Sequence, residues 1–174
     1  IEEWLEARGA SWRQLQAGAL RLPAPPMARR ASQLEIVQWF LVTSDPVLFA
    51  ETMFVERPED GGARWRLWEY QKPSLRTRRH VINRSAAGTG KTRELQILGC
   101  WGITCRAGQV MVVANQDSTV ATIWRNIEFQ TARNPWLAMM LPEAERKQRP
   151  RRTMIARNGN VWLFVPTGPD GEPL

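Results

Sequence analysis

Residues 80–92 read HVINRSAAGTGKT, and the order of residue types in this stretch predicts a strand, a loop and a helix. Residues 80–83 contain two adjacent β-branched residues, as expected of a short strand. Residues 84–90 contain small residues and two glycines, which allow turns that other residues disfavour. A helix is expected over residues 91–105. A strand, a glycine-bearing loop and a helix in this order indicate an α/β protein.

Three further segments extend the α/β pattern. A helix is expected over residues 69–78, before the loop. Residues 110–114 form a continuous apolar run, which is typical of a strand buried on both faces of a parallel sheet. Asp117 or Ser118 is expected to cap the next helix, which continues to about residue 132.

A late hairpin completes the predicted elements. Asn158-Gly159 stands between two apolar runs, residues 153–156 and 161–165, and this dipeptide is a strong signal of a tight hairpin turn. The elements together predict a three-layer α/β domain over residues 45–174, with an incomplete parallel sheet that ends in the hairpin.

The first part of the chain has a different pattern. Residues 1–8, 11–19 and 32–42 carry apolar residues at the three- and four-residue spacings of helices. We therefore expect residues 1–44 to form a helical appendage, with Asp45-Pro46 opening the main domain.

Composition narrows the class of protein. Hydrophobic residues make up 43% of the chain and charged residues 24%, so it can build a globular core. Two cysteines and one histidine exclude a disulfide framework and argue against a zinc site. No apolar run approaches the roughly 18 residues of a membrane-spanning helix, and we expect no membrane partner.

The loop has the residue types that bind phosphate. Gly88 and Gly90 let successive backbone N–H groups turn toward an anion, and the helix that follows directs its N-terminus at the same place. Lys91 is one of three lysines in a chain that otherwise uses arginine, and it is expected to contact the β- and γ-phosphates. The Thr92 hydroxyl is expected to bind Mg²⁺. The predicted phosphate-binding residues are Ser85, Ala86, Ala87, Gly88, Thr89, Gly90, Lys91 and Thr92, and the catalytic ones are Lys91 and Thr92.

Tyr70-Gln71 is the candidate base-binding pair. Gln71 lies 20 positions before Lys91. A glutamine amide donates and accepts together, as the N6/N7 edge of adenine requires, and Tyr70 can pack beside the base. A glutamine on a helix surface is the alternative interpretation. With the loop, this pair predicts ATP rather than another nucleotide.

The net charge of +7 favours a polyanionic partner such as nucleic acid, although a solvated basic surface is the alternative. Two basic clusters are candidates for contacts with DNA phosphate. The first cluster, around Arg76, is also a candidate for contacts with the nucleotide of a neighbouring subunit. The alternative interpretation is a solvated helix end that the helix dipole favours. The clusters are Arg76, Arg78 and Arg79, and Arg149, Arg151 and Arg152.

Five segments in this order resemble the ATPase domain of the large terminase subunit of tailed bacteriophages, and the resemblance covers about residues 45–174. This family has a RecA-like P-loop NTPase fold. Each motif also occurs in superfamily 2 helicases, but the late hairpin favours terminase. The segments are residues 45–50 (DPVLFA), 68–71 (WEYQ), 85–92 (SAAGTGKT), 112–118 (VVANQDS) and the hairpin at Asn158-Gly159.

The resemblance implies a molecular motor that hydrolyses ATP with Mg²⁺ to move double-stranded DNA into a procapsid. It implies a homo-oligomeric ring on a portal protein, a small terminase subunit as partner, and action in the host cytoplasm. It also implies an endonuclease domain after the ATPase domain. Asn115 and Gln116 match a segment near the DNA, and Arg84 is a further candidate contact.

Departures from the family pattern are also present. Ser85 replaces the first glycine of the strict loop pattern, and Ala86-Ala87 stand where many terminases have an arginine. No Walker B aspartate with its catalytic glutamate follows residue 165, and the chain ends at Leu174 after an apolar run. We therefore expect a piece of a longer polypeptide that hydrolyses ATP poorly by itself.

Two alternatives to the packaging motor remain open. A superfamily 2 helicase or translocase shares the loop motif and needs a second RecA-like domain. A nucleotide-regulated DNA-binding module would bind both ligands without turnover.

Overall fold

A computed structural model describes residues 33–56, 64–77, 88–106, 108–147 and 152–167. The chain divides into two compact units, Ile1–Trp68 and Glu69–Leu174. The helices predicted over residues 1–8 and 11–19 and the strand predicted over residues 80–83 lie outside the described residues. Within the described ranges, no helix is both long enough and apolar enough to cross a membrane.

Two helices of the first unit, α1 (Gln33–Ser44) and α2 (Pro46–Met53), are separated by Asp45. The Asp45 carboxylate accepts hydrogen bonds from two backbone N–H groups of α2, at 2.8 and 3.3 Å, and so caps this helix. Pro46 occupies the first turn, where its missing N–H group is tolerated. A new helix therefore begins at Pro46, but it lies in the first unit together with α1, and the domain boundary predicted at residue 45 stays a prediction.

Three aromatic side chains, one in α2 and two in the segment that follows it, pack together in a core. The ring centroids of Phe49 and Phe54 are 5.9 Å apart in an edge-on arrangement, and those of Phe54 and Trp65 are 4.9 Å apart. The Trp65 N–H donates to the Phe54 carbonyl at 3.1 Å. All three side chains are buried, so they hold the chain on both sides of residues 57–63 together.

The second unit alternates helices with strands, which confirms the predicted α/β class. Helix α4 has the predicted bounds, because the positive-φ Gly90 fixes its start. The elements are α3 (Gln71–Arg76), α4 (Lys91–Cys105), β1 (Gln109–Ala114), α5 (Asp117–Arg133), α6 (Pro135–Met140), β2 (Arg146–Lys147), β3 (Arg152–Ile155) and β4 (Val161–Pro166).

The four strands form one mixed sheet in the order β1-β4-β3-β2. Strand β1 pairs with β4 in parallel, whereas β3 pairs with β4 and β2 with β3 in antiparallel fashion. The expected parallel arrangement therefore holds for one pair, and the hairpin supplies the antiparallel part. In the described residues the sheet is mixed rather than parallel.

Helices α4 and α5 pack on one face of this sheet. The Trp162 and Phe164 side chains of β4 are buried on that face. A Cβ atom added at Gly99 of α4 would lie 2.0 to 2.7 Å from the Trp162 ring, so the helix backbone rests directly on the indole. Trp124 of α5 meets Phe164 edge-on, with ring centroids 5.4 Å apart. Both contacts require that these helices share a layer.

The prediction that β1 is buried on both faces is wrong. Met111 and Val113 are 62% and 54% exposed, although the apolar run suggested burial on both faces. The reason is that α4 and α5 cover the face of Val112, and alternate strand residues point away from it. Within the described residues the unit therefore has two layers, and the expected third layer is not among them.

Helix α3 is shorter than the predicted helix over residues 69–78. Glu69 and Tyr70 form a turn, and the helix begins at Gln71. Pro73 explains this start, because a proline fits the first turn of a helix but clashes with the carbonyl four residues earlier when it lies deeper. At the other end, the Thr77 N–H and hydroxyl both bond to the Pro73 carbonyl, and the chain leaves the helix.

The hairpin turn at Asn158-Gly159 is confirmed, and it also holds the end of α4. Gly159 has φ +84°, and its N–H donates to the Ala156 carbonyl at 2.8 Å. The side-chain amides of Asn158 and Asn160 donate to the Ile103 carbonyl at 2.9 and 3.0 Å. Because the last carbonyls of a helix lack intrahelical donors, these asparagines satisfy one that would otherwise be unpaired.

Helix α4 carries both cysteines, of which Cys100 lies in the core and Cys105 is half-buried. Cys100 is fully buried, and burial raises the pKa of its thiol far above the ordinary value. Burial also raises the pKa of the Cys105 thiol to about 11, against smaller opposing effects of the Thr104 hydroxyl and of Arg106. Neither thiol is a thiolate at neutral pH.

We expect Gly99→Ala to lower the free energy of unfolding by about 2 kcal/mol or more, because the new methyl group overlaps the buried Trp162 ring. Gly102→Ala in the same helix is the control, since its Cβ meets one atom of Val110 at 3.0 Å. We expect the control to change stability by less than about 1 kcal/mol. Urea denaturation measures both values, and equal losses would contradict the contact described here.

A second prediction concerns alkaline pH. Between about pH 9 and 11 the thiols ionise in the unfolded chain but stay protonated in the fold, so the folded state binds more protons. Stability is therefore retained below pH 9 and falls above it, by about 1 kcal/mol per pH unit for each thiol. Replacing Cys100 and Cys105 by alanine should flatten the decline in urea denaturation measured at several pH values. An unchanged slope would contradict the prediction.

Candidate nucleotide-binding site

The predicted phosphate-binding loop ends at two glycines with left-handed backbone angles. Gly88 has φ +79° and Gly90 has φ +85°, a region that favours glycine. Gly90 is the N-cap of α4, and no side chain caps the helix there. The first backbone N–H groups of a helix have no intrahelical acceptor. The start of α4 is therefore a suitable place for an anion.

Lys91 and Thr92 stand in the first turn of α4. Lys91 is half-buried, and Thr92 is exposed. Their ammonium and hydroxyl groups belong to the types that neutralise phosphate and bind Mg²⁺. Among the described residues no group of three acidic, histidine or cysteine side chains is arranged to hold a metal ion. Ser85, Ala86, Ala87 and Arg84 lie outside the described residues.

The structure brings the predicted base-binding pair to the loop. The Tyr70 hydroxyl donates to the Thr89 carbonyl at 2.9 Å, and the Gln71 amide nitrogen donates to the same oxygen at 3.3 Å. Gln71 is 3% exposed, whereas Tyr70 is 57% exposed. A carbonyl oxygen has two lone pairs and can accept both bonds. Gln71 and Tyr70 lie 18 and 19 positions before Thr89 in the sequence, and both side chains therefore meet the loop at one carbonyl oxygen.

The Gln71 side chain also packs closely against the backbone of Gly90. A Cβ atom added there would lie 2.4 Å from the Gln71 amide nitrogen. Glycine is thus required at position 90 for two reasons, its positive φ and this close approach.

Sequence reasoning missed a second connection between α3 and α4. The Ser74 hydroxyl lies 2.8 Å from a Glu94 carboxylate oxygen and 2.9 Å from the Gln71 carbonyl. Glu94 is 8% exposed and stands in the first turn of α4. One signal for Glu94 is present in the sequence. Residues three positions apart share a helix face, so a charged residue three positions before Ile97 lies on the buried side of the helix and needs a polar partner there.

The candidate DNA contacts within the described residues gather partly at one edge of the sheet. Asn115 and Gln116 are exposed and follow the carboxyl end of β1. Helix α4 precedes β1 and returns the chain across the sheet, and its last turn contacts the hairpin beside the start of β4. The opposite end of α4, with Lys91, therefore lies toward the same edge as Asn115.

Arg152 forms a bidentate ion pair with Asp117 at the start of α5. One guanidinium nitrogen bonds to each carboxylate oxygen, the longer bond being 3.2 Å. The hydrogen bond from Arg152 holds the pKa of Asp117 below its ordinary value. The expectation that Asp117 or Ser118 caps α5 is wrong, because Gln116 is the N-cap and Asp117 is engaged by Arg152.

The remaining basic candidates are less defined. Arg76 is exposed in the last turn of α3. The other members of the two clusters, Arg78, Arg79, Arg149 and Arg151, lie outside the described residues.

Comparisons of the chain with known protein families, with curated proteins and with solved structures give no match.

We expect Gly90→Ala to be more destabilising than Gly88→Ala. Both substitutions place alanine in a left-handed conformation, at a cost of about 1 kcal/mol. Only the methyl group at position 90 meets Gln71, and moving that buried amide breaks its bond to Thr89, which adds about 1 kcal/mol. Urea denaturation of the two variants measures the difference, and equal losses would show that the Gln71 contact contributes nothing.

Proposed function

We propose that the chain is the ATP-binding part of a viral DNA-packaging motor, a terminase large subunit that couples ATP hydrolysis to the translocation of double-stranded DNA into a procapsid. The observation that carries the nucleotide part is the meeting of Gln71 and Tyr70 at the Thr89 carbonyl. It joins a candidate base-binding pair to a loop in which Gly88 and Gly90 have the positive φ that favours glycine.

The roles of the residues follow from their chemistry. In this proposal the N–H groups at the start of α4 and the Lys91 ammonium hold the phosphates. Gln71 reads the base beside the loop. The Thr92 hydroxyl would help hold Mg²⁺, which supplies charge neutralisation of the phosphates when it is bound. These residues orient the nucleotide, and positioning is most of what phosphoryl transfer requires of a protein.

The packaging motor is favoured by the order of the motifs. The hairpin at Asn158-Gly159 forms late in the chain, and its second strand, β4, lies parallel to β1. This arrangement adds a strand pair to the sheet beside the segment with Asn115 and Gln116, which the terminase resemblance assigns to the neighbourhood of DNA. The net charge of +7 supports a DNA partner.

We expect Lys91→Ala in the full-length protein to lower kcat for ATP hydrolysis by at least about 100-fold, because it removes a charge that stabilises the transferring phosphate. Lys147→Ala is the control, since this lysine is exposed on β2, at the edge of the sheet opposite β1. The measurement is phosphate release without DNA, and unchanged hydrolysis in Lys91→Ala would overturn the assignment of the loop.

The same full-length protein distinguishes the motor from its alternatives. ATP-dependent protection of double-stranded DNA inside procapsids is the result expected of a terminase. Strand separation without procapsids would identify a helicase instead. DNA binding that depends on ATP but proceeds without hydrolysis would identify a regulated binding module.

A further inference from the structure

We propose that Ser74 and Glu94 are positioning residues that fix Gln71 at the phosphate-binding loop and thereby set the preference for adenine. The inference rests on the proposed nucleotide-binding function and deepens it. Selectivity for the base is assigned to a polar contact between two helices, α3 and α4, in addition to the residues that face the base.

The Ser74 hydroxyl stands between the two groups that must be aligned. It lies 2.8 Å from the Glu94 carboxylate on α4 and 2.9 Å from the backbone carbonyl of Gln71 on α3. A hydroxyl carries a single proton, and a carboxylate is the stronger acceptor. The bond to Glu94 therefore connects Ser74, which lies about one turn after Gln71 on α3, to the first turn of the helix that follows the loop.

Helix α3 depends on this anchor because it is short. It has six residues, fewer than a helix needs to be stable alone. Gln71, Ser74 and Leu75 follow the spacing of one helix face, and Gln71 and Leu75 are 3% and 2% exposed. The apolar contact of Leu75 stabilises the position of α3 but does not fix its orientation, because apolar contacts are not directional. The Ser74–Glu94 bond adds direction, since a hydrogen bond weakens steeply when its geometry changes.

A carboxylate in this position is unfavourable for phosphate binding by itself. Glu94 stands one turn from Lys91, and its negative charge opposes that of a triphosphate. It is also 8% exposed, and a buried carboxylate is costly unless it is hydrogen-bonded. The bond with Ser74 meets part of that requirement, and we expect the effect of Glu94 on binding to appear for the base rather than for the phosphates.

The test uses the full-length protein and three probes: ATP, GTP and inorganic tripolyphosphate, which has no base. Calorimetric titration gives the affinity for each. We expect Ser74→Ala and Glu94→Ala to reduce the preference for ATP over GTP by about tenfold, because Gln71 loses its fixed position. Affinity for tripolyphosphate should stay the same or increase in Glu94→Ala. Glu94→Gln keeps an acceptor for Ser74 and should restore most of the preference.

Thr77→Ala is the matched control, since the Thr77 hydroxyl bonds within α3 to the Pro73 carbonyl. It should keep the preference of the wild-type protein, and circular dichroism should show that every variant is folded. Equal losses for ATP and tripolyphosphate, or an unchanged preference in both alanine variants, would overturn the inference while leaving the proposed function standing. A wild-type protein that binds none of the three probes would overturn both.

Discussion

The contact between Gly99 and Trp162 sets the distance between α4 and the sheet, and the other features of the second unit follow from that distance. A side chain at position 99 would occupy the space of the indole. With α4 this close, the asparagines of the hairpin turn reach the carbonyls at its end. The other end of the same helix begins at Gly90 and carries Lys91. Packing in the core thus determines where the predicted phosphate-binding loop ends.

Local sequence signals were sufficient for much of this unit. The glycines before Lys91 predicted α4, and Asn158-Gly159 predicted the hairpin, because each signal depends on the backbone preference of a few adjacent residues. Signals that depend on distant residues failed. The pairing of Arg152 with Asp117 spans 35 positions, so no local pattern shows that the carboxylate is engaged. Exposure of Met111 depends on which face the helices cover, and an apolar run does not contain that information.

The candidate site divides in the same way. Residue types and spacing predicted the loop and Gln71 as a candidate site, since phosphate and adenine each demand a particular chemistry. Ser74 and Glu94 have no such chemistry of their own, and they matter because the fold brings them together across 20 positions. Gln71, the start of α4 and a buried carboxylate therefore form one group, in which Gln71 bonds to Thr89 and Ser74 bonds to Glu94.

The turn at Asn158-Gly159 also determines how readily the chain undergoes deamidation. In an Asn-Gly pair the glycine nitrogen attacks the side-chain carbonyl carbon of asparagine and ammonia leaves, and water then opens the resulting succinimide to aspartate or isoaspartate. Here the Gly159 N–H is bonded to Ala156 and the Asn158 amide to Ile103, so both reacting groups are held in place. Deamidation is thereby slowed in the folded protein. Deamidation would place a new carboxylate at the carbonyl end of α4, where negative charge is unfavourable. The contact between the hairpin turn and α4 is then weakened, and with it the contact that slows deamidation.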